Sequence, residues 1–221
     1  MEAKEVEKNR KSIVFISSFF VNLAKLFASN NSEYDIFLIL DRRFPFDIED
    51  DNLENFYSYI FDKKKIFEKD KEKYFDNLSL FINEFNPDII IANNFSKLFP
   101  QSFLDFQKFR NSNINIINIH HADLRIFDEK KEMKYKGLSA DIKEFLEESR
   151  IITTIHKIEN KNVDEGKQLA FSHETTLKEL KQKNILHKKE DIINLRIRNV
   201  VLSYHERTKV LKLLKKIIEN I

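Results

Sequence analysis

The sequence predicts an α/β fold: a mainly parallel sheet with helices on both faces, a C-terminal strand pair and a long C-terminal helix. Three observations carry this. Apolar, β-branched runs recur through the first half of the chain, as strands buried on both faces require. Segments with helical periodicity separate them, and the connections are short. The tail from Lys189 to Ile221 then repeats Ile193, Ile197, Val200, Val201, Tyr204, Leu211, Leu214 and Ile218 at roughly helical spacing.

In chain order, residues 1–11 are polar and read as an extension. Ser12–Ile16 is the first strand, Leu23–Ala28 a helix, Ile36–Leu40 the second strand and Leu53–Phe61 a helix. Lys63–Lys73 is a charge run without period, a solvated turn and helix start, and Lys71–Phe85 is the helix that follows. Pro87 stands before the strand Asp88–Ala92, and Pro100 opens another helix. Asn115–Ile119 is a strand ending in polar residues. Beyond it come a loop at Ala122–Lys136, a helix at Leu138–Glu148, a strand at Ile151–Ile158 and its partner at Lys167–Phe171. The tail is one helix, or two joined near Tyr204. Residues 12–175 are expected to form the main domain, with 176–221 as a helical extension packed on it, in a monomer or homodimer.

Composition narrows the function. The 221 residues include no cysteine, which removes disulfides, thiolate catalysis and cysteine-held zinc or iron–sulfur sites. A net charge of +2 gives no electrostatic reason to expect nucleic acid as a partner. No apolar stretch approaches the roughly 20 residues that cross a bilayer, and the N-terminus lacks a secretory pattern. A cytoplasmic protein is expected. Only two glycines occur, so each is expected to hold a position that needs one.

The chemistry-bearing residues gather beyond a strand end, where open parallel sheets bind ligands. In Asn118-Ile119-His120-His121-Ala122-Asp123, strand alternation points Asn118 and His120 one way and Ile119 and His121 the other. An Asn amide can donate to a developing oxyanion, and an imidazole beside it can move a proton near neutral pH. The pair suits attack on a carbonyl carbon. The bland alternative is a packing histidine. Adjacent histidines diverge on a strand, so no metal site at His120, His121 and Asp123 is expected. Downstream, Val163-Asp164-Glu165-Gly166 places an acid just before one of the two glycines, a turn that could present Asp164 to His120.

Asn118-x-His120, Lys134-Tyr135-Lys136-Gly137-Leu138, Thr154-x-His156 and Val163-Asp164-x-Gly166 share an order and approximate spacing. In this the chain resembles the folate-dependent formyltransferases. That family includes the phosphoribosylglycinamide enzymes, the N-terminal domain of the methionyl-tRNA enzymes and the sugar N-formyltransferases. Pro87–Ala92 and Lys97–Pro100 resemble the family's strand and folate-side loop, and the resemblance spans Ser12 to Phe171.

The resemblance implies a Rossmann-like domain that takes a formyl group from 10-formyltetrahydrofolate to an amine of a small molecule, with no metal. Asn118 would polarise the formyl oxygen, His120 would take part in proton transfer and Asp164 would orient His120. The pterin would lie against Asn94, Phe95, Ser96, Lys97 and Leu98, and against the turn from Glu159 to Val163. Ser17, Ser18 and Asn22 would contact the acceptor, with Tyr135 and Gly137 lining the amine side.

The departures concern the acceptor. Where the purine-pathway enzymes carry a glycine-rich phosphate loop, this chain reads Ser17-Ser18-Phe19-Phe20-Val21-Asn22-Leu23. Both glycines are gone, and with them the freedom that lets backbone amides curl around a phosphate. The family's Pro after the catalytic His is His121, and the usual folate-side arginine is Ser96. An amino-sugar nucleotide or a phosphoribosylglycinamide-like amine is the expected acceptor. A formyltetrahydrofolate hydrolase and an inactive ligand-binding module are the alternatives.

Overall fold

The computed structural model describes residues 10–18, 22–41, 53–61, 63–162 and 164–221. Most of the polar N-terminal extension, Phe19–Val21 and Val163 therefore lie outside the described residues. Within these bounds, seven strands form one sheet: β1 (Lys11–Ser17), β2 (Tyr34–Leu40), β3 (Phe56–Ile60), β4 (Ile89–Asn93), β5 (Asn115–His120), β7 (Thr154–Lys157) and β8 (Gln168–Phe171). Their order is β3-β2-β1-β4-β5-β7-β8, with the first five parallel and the last two antiparallel.

Alternation along the strands assigns two cores. Ile13 and Phe15 of β1 pack with Ile89 and Ile91 of β4 and Ile117 and Ile119 of β5 on one face. That face is covered by α1 (Asn22–Asn30), through Leu23 and Phe27, and by α8 (Leu211–Glu219), through Leu214, Ile217 and Ile218. Val14, Ile16, Ile90, Ala92 and Ile116 face the other way. They meet α3 (Lys71–Asn83), through Tyr74, Phe75, Leu78 and Ile82, and α4 (Gln101–Arg110), through Phe103 and Leu104. Burial on both faces explains why these strands read as continuous apolar runs. The predicted Rossmann-like α/β fold is present, including the antiparallel C-terminal pair β7·β8.

Two elements differ from the sequence reading. Leu53–Phe61 is no helix: Phe56–Ile60 is β3, paired in parallel with β2. A short aromatic-rich run fits either period, and pairing with β2 decides it. Ile151–Ile158 is not one strand. Arg150–Ile151 (β6) pairs with Thr175–Thr176 (β9), whereas β7 joins the main sheet. Between them the Thr153 N–H donates to Ser172 Oγ and the Ser172 N–H to the Thr153 carbonyl. The charge run also holds more than a turn, since Lys64–Lys69 forms α2.

α5 (Ala140–Glu148) and α6 (Leu177–Gln182) join α7 (Leu195–His205) in a third cluster built on Phe145, Leu180 and Leu202. The tail begins with a 3₁₀ turn at Lys189–Ile193. Asn194 then caps α7 (Leu195–His205), its side chain accepting from the Arg196 and Ile197 N–H groups. One π-helical turn, Glu206–Val210, links α7 to α8, just past the expected junction at Tyr204. Among the described residues, no helix is long and apolar enough to cross a membrane.

Candidate active site

The strand order reverses between β1 and β4, and the carboxyl ends of β4 and β5 open onto a cavity of about 510 Å³. Its walls are Asn94–Phe99 after β4, Asn118–His121 at the end of β5, Gly137–Asp141 at the start of α5, and His156–Asn162 with Asp164 after β7. Asn118 and His120 share the β5 face carrying Ile116, which is the cavity side; Ile119 belongs to the opposite core. The alternation expected from sequence therefore holds.

Asp164 is the hub. It has left-handed backbone geometry (φ 57°), which Asp tolerates better than most residues. Asn118 Nδ2 donates to its Oδ1 at 3.2 Å, and the Gly137 N–H donates to its Oδ2 at 2.8 Å. His120 Nδ1 lies 3.4 Å from Oδ2 and His156 Nε2 lies 3.4 Å from Oδ1. Burial alone would raise the carboxyl's pKa. His156, the charge of His120 and the Gly137 N–H outweigh it and hold Asp164 at about 2. It is ionised at neutral pH.

His120 is the reverse case. Burial pushes its pKa down, against the pull of Asp164 and of the Tyr135 carbonyl. Its Nε2 lies 2.7 Å from that carbonyl oxygen, which only accepts, so the Nε2–H donates there. In the neutral ring the lone pair is then on Nδ1, facing the Asp164 carboxylate at 3.4 Å, beyond a normal hydrogen bond. A proton arriving at Nδ1 would turn this into an imidazolium–carboxylate pair. In that tautomer the geometry would let the ring take up a proton at Nδ1 beside its counter-ion.

Sequence reasoning left His156 out of the site. It stands directly opposite Asn118 in the antiparallel β5·β7 register, and its Nε2 lies 3.1 Å from Asn118 Nδ2. The signal was the Thr154-x-His156 spacing, but the cross-strand register that gives it meaning is a tertiary fact. Both glycines hold demanding positions, as expected. Gly137 has φ 80°, and a Cβ on Gly166 would sit 1.5 Å from the Lys157 carbonyl oxygen.

The expected folate-side residues border the cavity, with Val163 outside the described set. Asn94 also has left-handed geometry (φ 54°). Phe95 stacks on Phe99 at 5.1 Å between ring centroids. The Ser96 N–H donates to Ser18 Oγ at 2.9 Å, fastening this loop to the end of β1. Lys97 bonds to the buried Asp41 and lies over the rings of Phe67, Tyr74 and Phe95, where burial pushes its pKa down to about 8. Leu98 is exposed, and Glu159 accepts from the Lys167 N–H.

The expected acceptor residues divide. Gly137 borders the cavity. Tyr135 does not: its ring is buried against Ala122 and Ala140, its hydroxyl donates toward Glu147 and Glu148, and only its carbonyl reaches His120. Ser17 and Ser18 are buried, with Ser18 committed to Ser96, and Asn22 Nδ2 donates to Asn199. None of these three is among the cavity's lining residues. Conversely Leu138, Ser139, Asp141 and Arg198, which sequence reasoning passed over, do line it.

A family model described as formyl transferase matches residues 10–193. No curated protein matches the chain. Among solved structures, a glycinamide ribonucleotide transformylase from Symbiobacterium toebii aligns over 90% of this chain and 84% of its own, at 17% identity and a TM-score of 0.62. The phosphoribosylglycinamide formyltransferase of Streptococcus pneumoniae covers 88% and 98%, at 20% identity and TM-score 0.55. A formyltetrahydrofolate deformylase from Pseudomonas putida covers 90% and 64%, at 18% identity and TM-score 0.55. At these identities the likeness is one of fold.

Proposed function

Because the chain belongs to the formyl transferase family, we propose that it moves a formyl group from 10-formyltetrahydrofolate to the amine of a small molecule. The observation carrying this reading is the convergence of Asn118, His120 and Asp164 on one cavity, bordered by the Asn94–Phe99 loop and the His156–Asn162 turn. The cavity has the size of ordinary ligand sites, and Phe95, Leu98, Phe99 and Ile158 give it apolar wall suited to a flat heterocycle.

In the reaction the amine nitrogen bonds to the formyl carbon and the bond from that carbon to folate nitrogen breaks. The amine gives up a proton, and the folate nitrogen takes one. His120 Nδ1 accepts the amine's proton, and the ionised Asp164 stabilises the imidazolium. Asn118 Nδ2 carries two hydrogens: with one held by Asp164, the other is left to donate to the formyl oxygen as charge develops there. Asp164 also fixes the Gly137 backbone, so the base, the amide donor and the amine-side wall share one anchor.

The test is absorbance-monitored turnover of 10-formyltetrahydrofolate, with and without a panel of amines. Amine-dependent release of tetrahydrofolate is expected, falling about 10²–10⁴-fold in His120→Ala. Release that needs no amine would make the protein a hydrolase. Folate binding without turnover would make it a binding module, and neither binding nor turnover would remove folate altogether.

A further inference from the structure

The loop Asn94–Phe99 leaves the carboxyl end of β4 and forms one wall of the cavity. One tie holds it to the end of β1: the Ser18 N–H donates to the Asn94 carbonyl, and the Ser96 N–H to Ser18 Oγ. A second tie is ionic. Lys97 Nζ donates to Asp41 Oδ2, and the two side chains are 10% and 0% exposed. Asp41 directly follows β2 and its own N–H donates to the Ser17 carbonyl, so the β1·β2 register sets its place.

The Lys97 ammonium is enclosed by aromatic rings. Its Nζ lies 5.0 Å from the ring centre of Phe67 on α2, 5.2 Å from that of Tyr74 on α3 and 5.5 Å from that of Phe95 in the loop itself. Ring faces attract a cation at such distances. Phe95 in turn stacks on Phe99, and Phe99 stacks on Phe103 of α4 at 4.5 Å. Loss of the charge would therefore free one side of Phe95, a ring that borders the cavity. A buried ion pair adds little net stability, because desolvation offsets its attraction; the effect of this one is positional.

We propose that Lys97, tied to Asp41, is a positioning residue for the formyl donor: it holds the Asn94–Phe99 loop, and Phe95 with it, in the shape that receives the donor's heterocycle. The donor's identity rests on the formyl transfer proposed above; the tie itself does not.

Donor binding then has an alkaline limit. Burial lowers the Lys97 pKa to about 8, so the ammonium is present below that pH and lost above it. Around it stand Asp41 after β2, the Tyr74 hydroxyl, whose pKa burial pushes up, and Lys71, 5.7 Å from the Phe67 ring. In the catalytic cluster Asp164 is held at about 2 and His120 is pushed down, so neither titrates near pH 8.

The test titrates 5-formyltetrahydrofolate, a relative of the donor, calorimetrically into wild type, Lys97→Arg and Lys97→Met between about pH 6.5 and 9.5, each checked for cooperative melting. The wild-type Kd should be constant to about pH 7.5 and rise about tenfold by about pH 9.5. Lys97→Arg stays charged throughout, so it should bind at neutral pH and show no alkaline rise. Lys97→Met should bind about tenfold more weakly at neutral pH, again without the rise, and should raise the donor KM more than it lowers kcat. A flat wild-type Kd, a rise that persists in Lys97→Arg, lost binding by folded Lys97→Arg, or wild-type affinity in folded Lys97→Met overturns the proposal. Should either variant fail to fold, NMR titration of Lys97 in wild type decides: its midpoint should coincide with the rise in Kd, and a different midpoint overturns the assignment. If wild type binds no folate at any pH, the formyl-transfer reading falls and hydrogen exchange judges the tie: the Phe95–Phe99 amides should be less protected in folded Lys97→Met, and equal protection overturns it.

Discussion

His120 Nδ1 lies 3.4 Å from Asp164, and His121 Nε2 lies 3.2 Å from Glu206, at the same end of one strand. By distance the two pairs are alike. By surroundings they are not. Asp164 opens onto the cavity and receives an N–H on each oxygen, from Asn118 and Gly137. Glu206 begins the π turn of the C-terminal helix, toward the face covered by α1 and α8; Asn93 donates to its Oε1, and Oε2 has no hydrogen-bond partner among the described residues. His121 Nδ1 meets Thr153 Oγ1 at 2.8 Å, and Thr153 in turn meets His205 at 2.9 Å, an imidazole that burial pushes down to about 3. A histidine–carboxylate contact therefore says little alone. In the proposed reaction the working pair is the one whose carboxylate both faces the cavity and has donors on each oxygen. Glu206 is not among the cavity's lining residues, and its pair with His121 ties the C-terminal helix to the sheet.

The largest expected effects separate the pairs by opposite readouts. Asp164→Asn should cut kcat by about 10²–10⁴-fold, because His120 loses the charge that stabilises its protonated form. Glu206→Ala should leave turnover per folded molecule within a few-fold. It should cost about 3–5 kcal/mol of stability, the usual result of removing one member of a buried pair. Steady-state kinetics and urea melts on both variants measure this. If the two effects came out exchanged, the division of labour argued from the surroundings would be wrong.

Much of this contrast was legible beforehand, for a physical reason. Strand alternation has a period of two, so Asn118 and His120 had to share a face and His121 had to leave it. The parallel strands were legible because burial on both faces makes them uniformly apolar. The two glycines were legible because so few remain. Other features depended on contacts distant in sequence. His156 enters the site through the antiparallel β5·β7 register, and Arg198 through the return of the C-terminal helix to the cavity. Leu53–Phe61 misled because a short aromatic-rich run fits either period until a neighbouring strand pairs with part of it, here Phe56–Ile60 with β2. The ring of Tyr135 packs away from the cavity, and only its backbone carbonyl reaches His120, a placement that sequence spacing does not reveal.

A smaller effect follows from the charge state of Asp164. A free Asp carboxyl titrates near 3.9 and this one at about 2, so the fold is favoured by its ionised form. That contribution, roughly 2 kcal/mol, is complete above about pH 4 and disappears as pH falls toward 2. Asp164→Asn lacks it at every pH. The stability gap between wild type and variant should therefore be constant from about pH 7 to 5, then close between about pH 4 and 2. Denaturant melts across that range measure the gap. A gap that stayed open in acid would mean that the carboxylate's charge does not account for the lost stability.

The smallest effect tests how firmly the Asp164 hub holds its neighbours. Gly137 has φ 80°, yet a Cβ there would meet nothing among the described residues within 4 Å, so the expected penalty is one of backbone conformation. A left-handed backbone costs an L-residue roughly 1–2 kcal/mol, while alanine recovers about 0.4–1 kcal/mol by narrowing the unfolded ensemble. Gly137→Ala should therefore destabilise the protein by about 1 kcal/mol. Its N–H remains available to Asp164 Oδ2, so the carboxylate keeps a donor. If that bond holds the segment in place, kcat and the low pKa of Asp164 should both survive the substitution. If the segment relaxes to negative φ instead, the N–H swings away, the Asp164 pKa rises and kcat falls although stability barely changes. Carboxyl titration by NMR, read beside the melts, distinguishes the two: an unmoved pKa with a 1 kcal/mol loss means that Asp164 governs the loop, and a raised pKa with no loss means that the loop governs Asp164.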